Sequence, residues 1–446
     1  MLGRRPLLGG IASIAVGIAA SPPANGLAVR RDAASLAQSP HMLARLEAAI
    51  GEMQQRSERD PHDPKGWRAN IDAHRAVCAA VANDDDAQVH GCWWFLPWHR
   101  AFLAVTEWKL RAISGDLSLA LPYWNWSNDR TIPAAFALPT SPLARAARYT
   151  PDRALASVEV DHLLHDSDLA RLGVAALGAR AFQAWAPEQI PRTFGGIAKP
   201  NAGQWHGRSR LEAIPHTALH NYIGGEATNG SLGDMTQLST AANDPLFYAH
   251  HANLDRLWEN WRSDPMRRSS EPALGAFLEQ RFPFPWLDGT VITVSVADTL
   301  DTRRLGYTYD RLEVFRDAPP TIVTAAGMDL RTPLAHETVS LPRQAPPGDR
   351  VLRIAGVQPG DRPLSVEIAL ARPGADRASA ISVGAHAAGR RQGNPTFPDT
   401  EPQFDVTAAL HGLGTSAADV IVLPLSLGPG EYEPPPFVYT SMEIVG

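Results

Sequence analysis

A chain of 446 residues with 44% hydrophobic content can bury sizeable cores, and its length suggests about two or three domains. Forty-one basic against 47 acidic side chains give a formal charge of −6, with no dense Lys/Arg run in the body of the chain, so nucleic acid is excluded as a partner. Two cysteines, Cys78 and Cys92, exclude a disulfide scaffold, and 38 prolines with 35 glycines imply many loops between short elements.

Arg4 and Arg5 precede an apolar run from Leu7 to Ala20 that is too short for a stable bilayer-spanning helix. Residues 1–30 are expected to be an export signal with no stable membrane anchor. The paired arginines followed by Pro6, Leu7 and Leu8 resemble a twin-arginine signal, the bacterial route for proteins that fold, often around a cofactor, before reaching the periplasm or the exterior.

From Met42 to about Gln55, Leu43, Leu46, Ile50 and Met53 recur every three or four residues and predict an amphipathic helix. A second helix near Trp67 turns Trp67, Ile71, His74 and Cys78 inward. A third is expected to begin at Pro97 and run through "WHRAFLAVTEWKLRAI", with His99 in its first turn and His90 in the loop ahead of it. A loop-rich stretch to about Pro200 precedes "RLEAIPHTALHNYIGG" and "DPLFYAHHANLDRLWENW". Beyond Tyr309, short runs such as "VLRIAGV", "LSVEIAL", "SAISVGA", "FDVTAAL" and "DVIVLPLSL" alternate with Gly/Pro/Asp turns, the pattern of an antiparallel β-sandwich. The expected architecture is a mainly α catalytic domain over residues 31–320 and a C-terminal β-rich domain over residues 321–446, with "RDAPPTIV" as the linker.

His216 and His220 stand four residues apart, so both imidazoles leave one helix face and can share a metal. A zinc protease would carry its glutamate base after the first of these, where this chain has Thr217. His251 lies on the apolar stripe Phe247, His251, Leu254, Trp258 and Trp261, whereas His250 lies on a mixed face. That periodicity assigns His251 to the metal and His250, with Phe247, to its surroundings. Asp255, four residues after His251, is placed to accept a hydrogen bond near the site or to pair with a neighbouring base. The inward histidines form two groups of three: His74, His90, His99 and His216, His220, His251. All-imidazole ligation suits copper, zinc or iron, and three ligands per group leave coordination open for a substrate, whereas structural zinc usually recruits cysteine and four ligands. Ligands must be neutral, so metal is expected to leave as pH falls through the histidine range.

As a set these residues resemble the type 3 copper proteins, the tyrosinases, catechol oxidases and haemocyanins, over roughly residues 40–310. "VHGCWWFLPWHR" is similar to the copper A motif, with His74 as its upstream ligand. "PHTALH" and "DPLFYAHHANLDRLW" are similar to the copper B motif, whose third ligand is the second histidine of the pair. "GYTYD", with Tyr307 and Tyr309, resembles the tyrosine motif that closes the family's catalytic domain, and "PQFDVTAAL" resembles the motif of the C-terminal β-domain of plant polyphenol oxidases. The resemblance implies a four-helix core in which two copper ions bind dioxygen side-on as peroxide and oxidise phenolic substrates to o-quinones.

Finer positions follow from the same resemblance. Cys78 matches the plant-type cysteine that forms a thioether to the second copper A histidine, here His90; Cys92 matches no such pattern. Glu212 matches the carboxylate that holds a water above the site. Thr217 replaces the asparagine that many monophenol-hydroxylating members place there to help orient a water as base, which favours diphenol oxidation over monophenol hydroxylation. Leu238 falls where plant catechol oxidases carry a gating phenylalanine. The expected activity is therefore a catechol-oxidising polyphenol oxidase, with weaker monophenol hydroxylation and a C-terminal domain that caps the site. A copper-loading partner is compatible with that reading. An o-aminophenol oxidase of the same fold and a haemocyanin-like oxygen carrier are the alternatives.

Overall fold

In the computed structural model, residues 26–79, 89–126, 132–145, 148, 179, 181–184, 193–198, 208–209, 211–225, 227, 230–263, 268–312, 333–340, 350–357, 364–375, 379–388, 403–424 and 436–445 are described. Residues 1–25 of the expected export signal, most of the stretch before Pro200 and the "RDAPPTIV" linker with the boundary near residue 320 lie outside them.

Helix α1 (Pro40–Arg59) starts on a proline, whose missing N–H has no helical acceptor to lose, and buries Leu46, Ala49, Ile50 and Met53. Helix α2 (Trp67–Ala79) follows where the Trp67, Ile71, His74 stripe predicts it. Helix α3 (Phe95–Ser114) begins two residues before the expected Pro97 and ends on Gly115 at φ 70°, a left-handed cap that favours glycine. Pro97 still falls in the first turn, where no intrahelical N–H bond is required, so the proline does not define the start. Almost every side chain of α3 is buried, including Arg100, Glu107 and Lys109, which makes it the central helix. Helix α4 (Thr217–Gly224) is preceded by a π turn over Glu212–His216 that contains Pro215. Helix α5 (Pro245–Arg262) starts on Pro245 under a cap in which the Asp244 carboxylate accepts the Leu246 N–H at 2.8 Å. Helices α3 and α5 pack together, and α1 lies against α2 and α3.

Strand β1 (Ala28–Arg30) is followed by the parallel pair β2 (Ala181–Ala184) and β3 (Thr193–Ile197), the hairpin β4 (Arg281–Pro285) and β5 (Val291–Ser295), and β6 (Tyr307–Tyr309). Strand β1 pairs in parallel with β6, so residues 28–30 pack against the helical part. The reason is a buried charge hub. Arg30 donates to Glu107 at 2.8 Å, to Asp255 at 2.9 Å and to the Tyr309 hydroxyl at 3.0 Å, with its guanidinium 3.5 Å from the Tyr307 ring centre. Both ends of the helical part are thereby tied to α3 and α5.

The later part contains β7 (Ala335–Ser340), β8 (Val351–Ala355), β9 (Leu364–Ala371), β10 (Ile381–Ala388), β11 (Gln403–Asp405), helix α6 (Thr407–Leu413), β12 (Ala417–Pro424) and β13 (Ser441–Val445). One antiparallel sheet has the order β10-β9-β12-β7 and another β11-β8-β13. Val366 and Val420 from the first and Leu352 and Ile444 from the second meet in one apolar cluster, separate from the helical core. "FDVTAAL" departs from the expected strand: only its first two residues lie in β11, and the run then turns into α6, which buries Ala409, Leu410 and Leu413 and ends on Gly414 at φ 58°. Two turns of helix present the same apolar residues as a short strand, and the glycine cap decides between them. Among the described residues no helix is long and apolar enough to cross a membrane.

Candidate metal centre

His74 comes from α2, His90 from the turn before α3, and His99 from the first two turns of α3; their donor nitrogens lie within 4.8 Å of one another and all three are buried. A carbonyl oxygen can only accept, so its contacts fix the tautomers. His74 Nδ1 donates to the Leu238 carbonyl at 3.0 Å and His99 Nδ1 to the Phe95 carbonyl at 2.8 Å. The Nε2 lone pair is then left for a metal.

The second group repeats the device. His216 Nδ1 donates to the Glu212 carbonyl at 3.2 Å and His220 Nδ1 to the Met235 carbonyl at 2.8 Å. His216 and His220 project together because the π turn passes directly into α4. The Nε2 atoms of His99 and His216 are buried without a hydrogen-bond partner, an expensive arrangement unless something else, such as a metal, occupies the lone pair. His220 Nε2, the acceptor nitrogen of its ring, converges on His251 Nε2 at 3.2 Å, which is a hydrogen bond when His251 carries its proton on Nε2 and a pair of lone pairs facing one cation when it carries it on Nδ1.

The donor nitrogens of His250 lie within the same 4.8 Å set as those of His216, His220 and His251, so proximity does not separate the pair predicted by periodicity. Ring packing does. His251 stacks on His99 of the first group with centroids 4.2 Å apart and planes 9° apart, whereas His250 stacks on His216 at 5.8 Å and faces Trp126 at 6.1 Å. His251 therefore lies between the two groups and His250 behind the second. Phe247 fills the same seam, 4.2 Å from His251 and 4.9 Å from His74. Phe95, which the sequence reading passed over, lies 4.7 Å from His99 and 4.8 Å from His216.

Burial lowers every one of these histidines below the ordinary range, His74 to about 3 and His220 to about 4; neighbouring imidazoles add to it at all but His220, where the Met235 carbonyl and Asp244 oppose it. All seven are neutral near pH 7, as metal ligands must be.

Glu212 is buried and its Oε1 accepts the Gly91 N–H at 2.7 Å, so it ties the turn that carries His90 to the segment that carries His216. Thr217 donates its hydroxyl to the Glu212 carbonyl at 3.0 Å and accepts from Arg208 Nη1 at 3.4 Å. Leu238 contributes its carbonyl to His74, and its side chain is half-buried. Among the described residues Asp255 makes no hydrogen bond to an imidazole; it accepts from the guanidinium groups of Arg30 and Arg100 and from the hydroxyls of Tyr307 and Tyr309. Burial opposes its charge, but Arg100 and Arg30 outweigh that and hold its carboxyl below the usual carboxylate range. Cys92 is buried, with Sγ 3.5 Å from the Val89 carbonyl. Cys78 falls in the last turn of α2, but its side chain, and with it the expected thioether to His90, lies outside the described residues.

Residues 64–264 match the family model described as the common central domain of tyrosinase. Aureusidin synthase of Antirrhinum majus is 28% identical over 354 residues, covering 76% of this chain and 61% of that protein. The chloroplastic polyphenol oxidase E of Solanum lycopersicum is 30% identical over 276 residues, covering 60% of this chain and 46% of that protein. The chain thus spans less than two thirds of the length of these curated relatives. The structure of latent apple tyrosinase superposes with a TM-score of 0.69 at 19% identity, over 94% of this chain and 97% of that one, and shows the shared fold of a mainly helical core with accompanying sheets. The central-domain match spans both histidine groups, from α2 to α5, and with these relatives it supports a type 3 copper protein of the tyrosinase and polyphenol oxidase family.

Proposed function

We propose that the chain is a copper-dependent polyphenol oxidase that converts catechols to o-quinones, with His74, His90 and His99 holding one copper and His216, His220 and His251 the other. The observation that carries this reading is the 4.2 Å stacking of His99 on His251, which sets the two groups of neutral donors face to face around one small volume. Two copper ions held there would pass two electrons at a time, so that two catechols, each giving up two electrons and two protons, would reduce one dioxygen to two waters and leave two o-quinones.

The protein residues supply placement and dryness. The carbonyls of Leu238, Phe95, Glu212 and Met235 orient four of the imidazoles. Phe95 and Phe247 wall the seam against water. Glu212 is the carboxylate we assign to hold a water beside the site. With the Thr217 hydroxyl proton engaged by the Glu212 carbonyl, the position offers no amide to share that water, which supports diphenol oxidation with at most slow monophenol hydroxylation. Leu238 we read as the residue at the substrate approach, and the Cys78–His90 thioether as a covalent restraint on His90.

The helical part reads as a four-helix copper core built from α2, α3, α4 and α5, and the two later sheets as a β-sandwich. Strand β10 packs against the π turn and α4, which supports the C-terminal part as a cap over the segment bearing His216. The paired Arg4 and Arg5 support export. The test is to load the full chain with copper and follow oxygen uptake and quinone formation with a catechol. Stoichiometric binding of two coppers with one oxygen consumed per two quinones is expected; copper binding without any catechol turnover, including after proteolytic removal of the later part, refutes the reading.

A further inference from the structure

One loop touches both histidine groups. Between α4 and α5, the segment Asp234–Asn243 offers the Met235 carbonyl to His220 at 2.8 Å and the Leu238 carbonyl to His74 at 3.0 Å, so a single short piece of backbone orients one imidazole of each group. Its two ends are single 3-10 turns, Asp234–Thr236 and Ala241–Asn243, which have little stiffness of their own.

Asp234 closes the loop on itself and onto the body. Its Oδ2 accepts from Asn243 Nδ2 at 3.0 Å, across the loop, and from Arg145 Nε and Nη2 at 3.1 and 2.7 Å. Its carbonyl accepts the Thr240 hydroxyl at 3.1 Å. The far end is held separately: Trp67 Nε1 donates to the Asn243 carbonyl at 3.1 Å from the same helix that carries His74, and the Tyr248 hydroxyl donates to the Ala242 carbonyl at 3.0 Å. Both Asp234 and the loop's inner face are buried, but Asp234 touches no histidine, so its charge is spent on the loop's shape.

We propose that the Arg145–Asp234–Asn243 cross-tie is a positioning device that sets His74 and His220 together, and through them the relation of the two coppers to each other. The inference rests on the dicopper reading above and adds to it that the two sites share one support. Loosening that support rotates both imidazoles at once, whereas damage to any one ligand's own helix disturbs one site.

The test compares the full chain with Arg145→Met and Asp234→Asn, with Arg45→Met as a control that breaks a surface pair to Asp116 elsewhere. Copper affinity is read by competition with a chromophoric chelator, and the oxidised, fully loaded protein is examined by electron paramagnetic resonance, in which a coupled copper pair is silent. Both sites are expected to lose about tenfold in affinity together, the low end for groups supporting a ligand's hydrogen-bond partner, and uncoupled copper becomes visible at full loading. Retention of wild-type affinity at either site, of silence at full loading, or an equal loss in Arg45→Met overturns the proposal. Should the charge variants fail to fold, Thr240→Val removes one loop bond with little change in shape and decides by the same readouts. A wild-type chain that binds no copper pair defeats the dicopper reading itself, while a normal pair unaffected by these variants defeats the cross-tie alone.

Discussion

Asp255→Asn tests whether the fold depends on the charge hub rather than on apolar packing alone. In the native protein Asp255 accepts from Arg30 at 2.9 Å and from the Tyr307 hydroxyl at 2.6 Å, and it also accepts from Arg100 and Tyr309. Every partner is a donor, so the amide's NH2 group must face at least one N–H or O–H. Removing one member of a buried pair typically costs about 3–5 kcal/mol, because the other charge remains out of water. Here neither guanidinium is left without an anion, since Arg30 keeps Glu107 at 2.8 Å and Arg100 keeps Glu259 at 2.7 Å. The low end, about 3 kcal/mol, is therefore expected, and for a domain of this size it lowers the melting temperature by roughly 5–10 °C. Calorimetry of the copper-free chain resolves the transition of the helical part from that of the later sheets, which have their own core. A shift below about 1 °C in the helical transition would refute the reasoning, because it would mean that the hub's charges contribute nothing that an amide cannot replace.

Lys109 is buried with its amine on Asn70 Oδ1 at 3.0 Å, and burial pushes it down to about 8. Between there and its unfolded value the unfolded chain holds a proton that the folded chain lacks, so stability rises with pH by about 1.4 kcal/mol per unit. Urea midpoints at pH 8.5 and 9.5 should rise in wild type relative to Lys109→Met, and parallel slopes count against it. Thr217→Asn should raise monophenol hydroxylation relative to oxidation of the matching diphenol; an unchanged ratio removes Thr217 from the explanation. In Gly224→Ala the new methyl would lie 2.1 Å from Thr236 Oγ1 and 2.2 Å from its backbone nitrogen, so the Met235 segment must move. That variant should weaken copper held by His220 about tenfold in a chelator titration, and wild-type affinity would show that the segment yields without cost.

Much of the centre was legible because a metal site leaves a pattern that periodicity can see. His74 and His251 fall on inward helical stripes, His216 and His220 stand four residues apart and His99 opens a helix, and the stripe through Phe247 distinguishes His251 from His250. Ring packing adds a difference in position, His251 on His99 and His250 on His216. The carbonyls that fix the tautomers left no such trace, since a backbone oxygen carries no residue type. Met235 and Leu238 serve through their main chains, and Leu238 drew notice only for its side chain. Arg30 was missed for a different reason: its neighbours in sequence read as the tail of an export signal, while its partners Glu107, Asp255 and Tyr309 lie 77, 225 and 279 residues away.

That distribution has a physical consequence for how the two histidine groups come together. The histidines are supplied by helices whose stripes are locally encoded, but their aim is set by contacts between segments distant in sequence. His74 on α2 depends on Leu238, 164 positions later, and the turn holding His90 depends on Glu212, 121 positions after Gly91. A chain that has formed α2, α3, α4 and α5 without docking the Asp234–Asn243 loop has all six donors and no common focus for them. On the dicopper reading proposed above, copper would then bind single histidines without forming the pair, so metallation of the pair would require the tertiary fold to be complete first.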